Sequence, residues 1–138
     1  MIHDSIEMIE IIAKGLKELL SEVTFIGGAI TSFYIDDSAS PALRPTKDVD
    51  CVIKIANQKN YYEFETKIRK KGFRHLIRAN EPICRWIYDD VIVDIMPTDK
   101  SILGFSNRWY DDGINNSIVK TLPSGRDIKK YLLKNLLS

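Results

Sequence analysis

Residues 44–55 read RPTKDVDCVIKI, and this stretch joins two acids to an apolar run of the β type. The valine and isoleucine content predicts a strand over residues 47–55. Because side chains alternate along a strand, Asp48 and Asp50 are expected to project from the same face. A strand that carries two carboxylates on one face is the feature from which the rest of the interpretation follows.

A third acid interrupts an apolar strand further along the chain. Residues 91–96 read VIVDIM, so Asp94 stands among valine, isoleucine and methionine. A carboxylate is costly to bury there unless it is paired or holds a cation. Three acids on adjacent strands would repel one another, and a divalent ion that prefers oxygen ligands, Mg²⁺ or Mn²⁺, would resolve that repulsion. Two such ions can clamp a triphosphate and activate a hydroxyl for in-line attack.

A purely structural explanation of the same acids stays open at this point. Asp48 is also a candidate cap at the start of its strand, and Asp50 a candidate surface residue. Asp94 is also a candidate partner for Arg85 across a hairpin. The metal hypothesis requires all three carboxylates to share one face, whereas the structural explanation does not.

A glycine pair provides a second feature. Gly27 and Gly28 follow the β-type run at residues 23–26 and precede a predicted helix over residues 29–35. A strand that turns through two glycines into a helix exposes backbone N–H groups, which form a natural phosphate cradle. A Gly-Gly turn is also common as a purely structural turn. The chain has neither G-x-x-x-x-G-K-[ST] nor G-x-G-x-x-G, so it is not a P-loop or a dinucleotide-binding protein of those types.

Basic residues near the acids are candidates to bind phosphate oxygens. Arg44 and Lys47 precede Asp48, and Arg85 and Arg108 lie further along the chain. Any of them would offset charge that develops on a phosphate, although each is equally compatible with a solvated surface base.

The whole pattern predicts one α+β domain over residues 1–138, with a small mixed sheet and flanking helices. With 20 Lys and Arg against 19 Asp and Glu, the net charge of +1 argues against a polybasic nucleic-acid binder. Helices are predicted over residues 4–20, 29–35, 60–71 and 129–137. Strands are predicted over residues 23–26, 47–55, 74–77, 83–88 and 91–96, and a final hairpin over residues 117–122 and 126–128. An Asp-Asp turn at residues 89–90 is predicted to join two of the strands.

The cysteines and termini indicate the compartment. Cys51 and Cys84 stand in apolar runs and are predicted to be small core residues, with no disulfide framework. Acids near the N-terminus are unlike a secretory signal, and the longest uncharged stretch, residues 23–35, is too short to span a bilayer. The sequence therefore predicts a cytoplasmic protein with no membrane association.

Three parts of the sequence together resemble a known superfamily. They are Gly27-Gly28, Thr46-Lys47-Asp48-Val49-Asp50 and Val93-Asp94. This combination is similar to the nucleotidyltransferase superfamily typified by DNA polymerase beta. The run at residues 44–50, RPTKDVD, is most similar to the branch that includes AbiEii-type toxins and minimal nucleotidyltransferases. The resemblance covers roughly residues 23–127.

The resemblance implies transfer of a nucleoside monophosphate from an NTP to an acceptor hydroxyl, with release of pyrophosphate. By the same resemblance, Asp48 and Asp50 bind either both metal ions or only the ion that carries the nucleotide, and these ions are Mg²⁺ or Mn²⁺. Asp94 completes a second metal site and helps to deprotonate the acceptor. Gly27 and Gly28 would hold the nucleotide phosphates.

The same resemblance leaves several partners open. Thr31 and Lys47 are further candidate nucleotide contacts. The acceptor is tRNA, another RNA, a protein or a small molecule, and a protein partner is compatible with a toxin–antitoxin role. Relatives in the AbiEii-like branch carry a further helical region, whereas only residues 129–138 are available for one here, so this region is expected to be short or missing.

Two other function classes compete with the enzyme. One is a nucleotide- or RNA-binding module that has the fold but transfers nothing. The other is an interaction protein of the toxin–antitoxin type, with Phe105, Trp109 and Tyr110 as an interface instead of local core.

Overall fold

A computed structural model describes residues 4–26, 48–55, 57–76, 84–98 and 114–131 of the chain. These segments contain two α-helices and a seven-stranded sheet. The helices are α1 (Ser5–Leu16) and α2 (Gln58–Lys70). The strands are β1 (Val23–Ile26), β2 (Asp48–Ile53), β3 (Arg74–His75), β4 (Arg85–Tyr88), β5 (Val91–Pro97), β6 (Ile118–Thr121) and β7 (Asp127–Lys130).

The sheet is mixed, with the strand order β3-β4-β5-β2-β1-β7-β6. Strands β2 and β5 run parallel, as do β1 and β7, and every other neighbouring pair is antiparallel. Helices and a mixed sheet therefore form an α+β architecture, which confirms the predicted fold class.

Helix α1 is shorter than the sequence predicts. The Asp4 carboxylate caps its start by accepting a hydrogen bond of 2.8 Å from the backbone N–H of Glu7. The prediction extended the helix to residue 20, but Lys17 has a φ of 53° and the α-helix ends before it. The chain continues as a 3₁₀ helix, Lys17–Glu22. This tighter turn buries Leu19 and directs the chain into β1.

Helix α2 is capped by Asn57, whose side-chain oxygen accepts a hydrogen bond from the backbone N–H of Asn60. The cap explains why the helix begins at Gln58, slightly before the predicted residue 60. At its other end Gly72 has a φ of 96°, as the predicted helix stop requires.

One core lies on the face of the sheet that is covered by the two helices. Along β2, Val49, Cys51 and Ile53 belong to this core, which alternates as a strand must. Ile9, Ile12, Ala13 and Leu16 of α1 and Phe64 and Ile68 of α2 pack into the same cluster. Cys51 and Cys84 are buried and free, in agreement with their predicted role as small apolar residues.

The two predicted hairpins form, but the predicted C-terminal helix is wrong where the structure describes it. Asp89 and Asp90 make the turn between β4 and β5 with φ values of 49° and 64°. Lys129 and Lys130 belong to β7, because that strand pairs with both β1 and β6. Residues 132–137 of the predicted helix, the helix predicted at 29–35, and Phe105, Trp109 and Tyr110 lie outside the described residues.

Within the described segments, no helix has the length and apolar content needed to cross a membrane.

Candidate metal centre

The parallel pairing of β2 with β5 brings the three acids together. Asp50 lies directly opposite Asp94 in this pair, and Asp48 precedes Asp50 by two residues on the same face. That face is opposite the core, since the intervening Val49 is buried in the core cluster. One carboxylate oxygen from each acid lies within 4.8 Å of the others. The shared face predicted from the sequence is therefore present.

Arg85 of β4 completes a four-residue arrangement. It lies opposite Asp94 in the antiparallel β4–β5 pair. Its Nε donates to Oδ1 of Asp94 over 2.9 Å, and its Nη2 donates to Oδ2 over 3.0 Å. The same Nη2 lies 3.5 Å from Oδ2 of Asp48. The sequence analysis treated an Arg85–Asp94 pair and a shared acidic face as alternatives. The structure contains both.

Among the residues that the structure describes, the three acids outnumber the positive side chains around them. Burial and the neighbouring carboxylates Asp48 and Asp94 raise the pKa of Asp50 to about 7, although Arg85 acts in the opposite direction. Burial, followed by the charge of Asp94, also raises the pKa of Asp48. One positive side chain therefore does not neutralise three acids, and the cluster favours uptake of a proton or of a cation.

The donor set fits a hard divalent cation. All three side chains offer carboxylate oxygens, which Mg²⁺ and Mn²⁺ prefer. Oxygens bound to one Mg²⁺ at about 2.1 Å lie about 3 Å apart when adjacent and about 4 Å apart when opposite. A separation of at most 4.8 Å is close to these values, so small side-chain rotations suffice. The cluster can therefore hold a metal ion.

The predicted phosphate-binding residues cannot be placed in the same way. Gly27, Gly28, Thr31 and Lys47 lie outside the described residues, and their roles stay predictions. The last described residue before the glycine pair is Ile26, which lies opposite Asp50 in the β1–β2 pair. The chain thus leaves β1 beside the acids.

A further basic residue on this face was missed by the sequence interpretation. Lys129 pairs with Thr24, and Thr24 pairs with Val52, which places all three on the face of the acids. The sequence interpretation assigned Lys129 to a helix. The sequence DIKK at residues 127–130 carries a weak strand signal, because its one apolar residue, Ile128, lies between polar residues. In the structure Ile128 is a core residue, and its neighbours Asp127 and Lys129 face the other way. Lys130, on the core face, is buried, and that burial lowers its pKa.

Comparisons of sequence and of fold give different results. No protein-family model matches the chain, and no curated protein matches it significantly by sequence. Among solved structures, the chain is similar to an antigenic nucleotidyltransferase-like protein from Paracoccidioides brasiliensis, with a TM-score of 0.63 and 18% identity. The match covers 93% of this chain and 60% of that protein, so the chain spans about three fifths of its length. At this identity the likeness concerns the fold, and the chain has a nucleotidyltransferase-like fold.

Proposed function

We propose that the protein is a metal-dependent nucleotidyltransferase that moves a nucleoside monophosphate from an NTP to an acceptor hydroxyl. The observation that carries the proposal is the position of Asp48, Asp50 and Asp94 on one face of two parallel strands. The nucleotidyltransferase-like fold supports it independently of the acids. The run RPTKDVD at residues 44–50 favours the AbiEii-like branch within that superfamily.

The proposed reaction divides its tasks among these side chains. Asp48 and Asp50 hold Mg²⁺ or Mn²⁺, which neutralises charge on the triphosphate when bound. Asp94 accepts the proton of the acceptor hydroxyl as the oxygen attacks the α-phosphorus. The bond from the α-phosphorus to the bridging oxygen breaks, and pyrophosphate leaves. Gly27 and Gly28 present backbone N–H groups to the phosphates.

Catalysis of this kind depends on position and charge more than on covalent chemistry. The central strands of the sheet are suited to it because β2 and β5 each have a hydrogen-bonded neighbour on both sides. Asp94 is buried and paired with Arg85, which holds its carboxylate on the face of the other two acids.

The test is transfer of label from each α-³²P-labelled NTP in the presence of Mg²⁺, total cellular RNA and a protein extract. Asp48→Asn should abolish labelling and leave the fold intact, because the variant loses a metal ligand with little change in volume. Asp89→Asn is the matched control, since it removes the same charge from an exposed turn. Label on one class of molecule, lost only in Asp48→Asn, would identify the acceptor. Equal labelling by both variants would overturn the assignment.

A second candidate is a module that binds nucleotide without transferring it. The two hydrogen bonds from Arg85 favour this candidate, because they engage both oxygens of the acid that would serve as base. Stabilisation of the natural protein by Mg²⁺ and an NTP, without label on any acceptor, would support this second function.

A further inference from the structure

We propose that Arg85 is an internal competitor of the divalent ion, so that a cation shared by Asp48 and Asp94 binds only when the guanidinium moves away. This inference rests on the proposed metal centre and adds a regulatory element to it. The position of Arg85 makes the Asp48–Asp50 pair and the Asp48–Asp94 pair different as cation sites. Arg85 contacts Asp48 and Asp94, so the Asp48–Asp94 side is closed by a side chain of the protein itself.

The position of Nη2 is the first reason. This atom lies 3.0 Å from Oδ2 of Asp94 and 3.5 Å from Oδ2 of Asp48. It therefore contacts one oxygen of each of the two acids that a shared cation would join. A guanidinium group and a divalent ion do not share this position, because both are positively charged and would contact the same two carboxylates at close range.

The second reason is the two-pronged hydrogen bonding between Arg85 and Asp94, which is called the fork below. Nε and Nη2 of Arg85 engage the two oxygens of Asp94 side by side, which is the strongest form of an arginine–carboxylate pair. Asp94 is also buried, so water does not readily replace a lost hydrogen bond. Removal of the guanidinium requires a partner that compensates both groups: a cation for Asp94 and an anion for Arg85.

A polyphosphate is the anion whose chemistry fits Arg85. Phosphate oxygens accept the same two-pronged hydrogen bonds as a carboxylate. A nucleotide that attracts Arg85 would free Asp94 at the moment when the substrate arrives. Binding of the second cation would then depend on the substrate. Without nucleotide, Asp94 would stay paired with Arg85 and could not act as a base.

The first test measures Mn²⁺ binding in the absence of nucleotide, from the electron paramagnetic resonance signal of free Mn²⁺ at pH 8.5. Arg85→Gln should tighten the apparent Kd at least about tenfold. A unit positive charge about 4 Å from a divalent ion repels that ion appreciably even at the dielectric constant of water. The substitution removes this repulsion, so the affinity should rise by about this factor. Arg74→Gln is the matched control, since it removes the same charge from an exposed position on β3, and its affinity should equal that of the natural protein.

Two further measurements keep the test valid if Arg85→Gln folds poorly. Arg85→Lys keeps the charge but loses the fork, and it should tighten Mn²⁺ binding by a smaller factor. In the natural protein, the Nε–Hε nuclear magnetic resonance signal of Arg85 should move when Mg²⁺ and inorganic triphosphate are added together, because both groups of the Arg85–Asp94 pair then have a new partner. A signal unchanged at saturating Mg²⁺ and triphosphate would overturn the proposal.

The outcomes separate this proposal from the proposed function. Equal Mn²⁺ affinities in the natural protein, Arg85→Lys and Arg85→Gln, all weakened by Asp48→Asn, would overturn the role of Arg85 and leave the metal centre standing. Absence of Mn²⁺ binding in all of these proteins would overturn both. Tighter binding in both Arg85 variants, but not in Arg74→Gln, would support both.

Discussion

Asp50 and Asp94 face each other across the parallel β2–β5 pair, and burial, followed by the charges of Asp48 and Asp94, raises the pKa of Asp50 to about 7. The ordinary value for this group is 3.8. Between these two pH values, the folded protein keeps a proton that the unfolded chain has already lost. The contribution of Asp50 to folding is therefore fully present below pH 3.8 and is lost as the pH rises through 7.

Replacement of Asp50 should remove this pH dependence. At pH 8, Asp50→Asn should raise the free energy of unfolding by about 1–2 kcal/mol, a figure reduced for the partial exposure of the carboxyl group. Near pH 4 the variant should equal the natural protein. Urea unfolding at both pH values measures the difference. A variant that is less stable than the natural protein at pH 8 would contradict the electrostatic account.

Mg²⁺ should stabilise the protein more strongly at pH 8 than at pH 6. The ion requires ionised carboxylates, and Asp50 gives up its proton near pH 7. Binding to the folded state alone raises the melting temperature by linkage. Thermal unfolding with and without millimolar MgCl₂ checks the prediction, with Asp48→Asn losing the shift and Asp89→Asn retaining it. A shift of equal size at both pH values would show that Asp50 is not a ligand.

Gly15→Ala should destabilise the protein although alanine favours helices. Helix propensity alone would give a gain of about 1 kcal/mol. A methyl group at this position would lie 2.6 Å from Cε2 of Tyr88, whose ring is stacked on Phe73 at 4.5 Å. The crowding should cost more than the gain, for a net loss of about 1–2 kcal/mol. Urea unfolding measures the loss, and the same substitution in a Tyr88→Ala background should be neutral or favourable.

Tyr61→Phe should leave the stability unchanged or raise it by up to about 1 kcal/mol. The hydroxyl group of Tyr61 is buried and has no hydrogen-bond partner within the described part of the chain. Removal of an unsatisfied polar atom removes its desolvation cost, while the ring keeps its packing. Tyr62→Phe, at an exposed position, is the control and should have no effect. A clear loss of stability in Tyr61→Phe would mean that the hydroxyl group has a partner after all.

The turn between β4 and β5 should be improved by a different pair of residues. Asp89 and Asp90 both have positive φ, which a two-residue turn of type I′ requires and which glycine and asparagine adopt at lower cost. Asp89→Asn with Asp90→Gly should raise the free energy of unfolding by about 0.5–1 kcal/mol, because the relief of left-handed backbone strain exceeds the entropy that glycine adds to the unfolded chain. Chemical denaturation checks this, and the far side of the sheet offers a control in Asp127→Asn, which should bring no gain.

Rules that depend only on neighbouring residues correctly predicted the strands that carry the three acids and the two hairpins. The alternation in β2 placed Asp48 and Asp50 on one face, and the apolar run around Asp94 predicted a strand. Such rules could not predict that Asp50 lies opposite Asp94. It depends on a parallel pairing whose register is set by α2 and two intervening strands, and not by a turn.

The errors have a similar physical origin. Residues 129–137 alternate basic and leucine residues at a spacing that suits a helix, but Lys129 and Lys130 pair with β1, which is distant in sequence. A long-range partner overrides local propensity at such a place. The end of α1 is a smaller case. The local sequence does not predict the positive φ of Lys17, after which the chain forms the 3₁₀ helix that buries Leu19.

The parallel pairing of β1 with β7 has a consequence for how the protein is made. The two strands are separated by about a hundred residues, and β7 is the last strand that the structure describes. While the ribosome is still adding the middle of the chain, one edge of β1 has no partner. An early strand edge of this kind can pair with another nascent chain. Translation that is fast relative to misassembly, or a chaperone that covers β1, should therefore increase the yield of folded protein in cells.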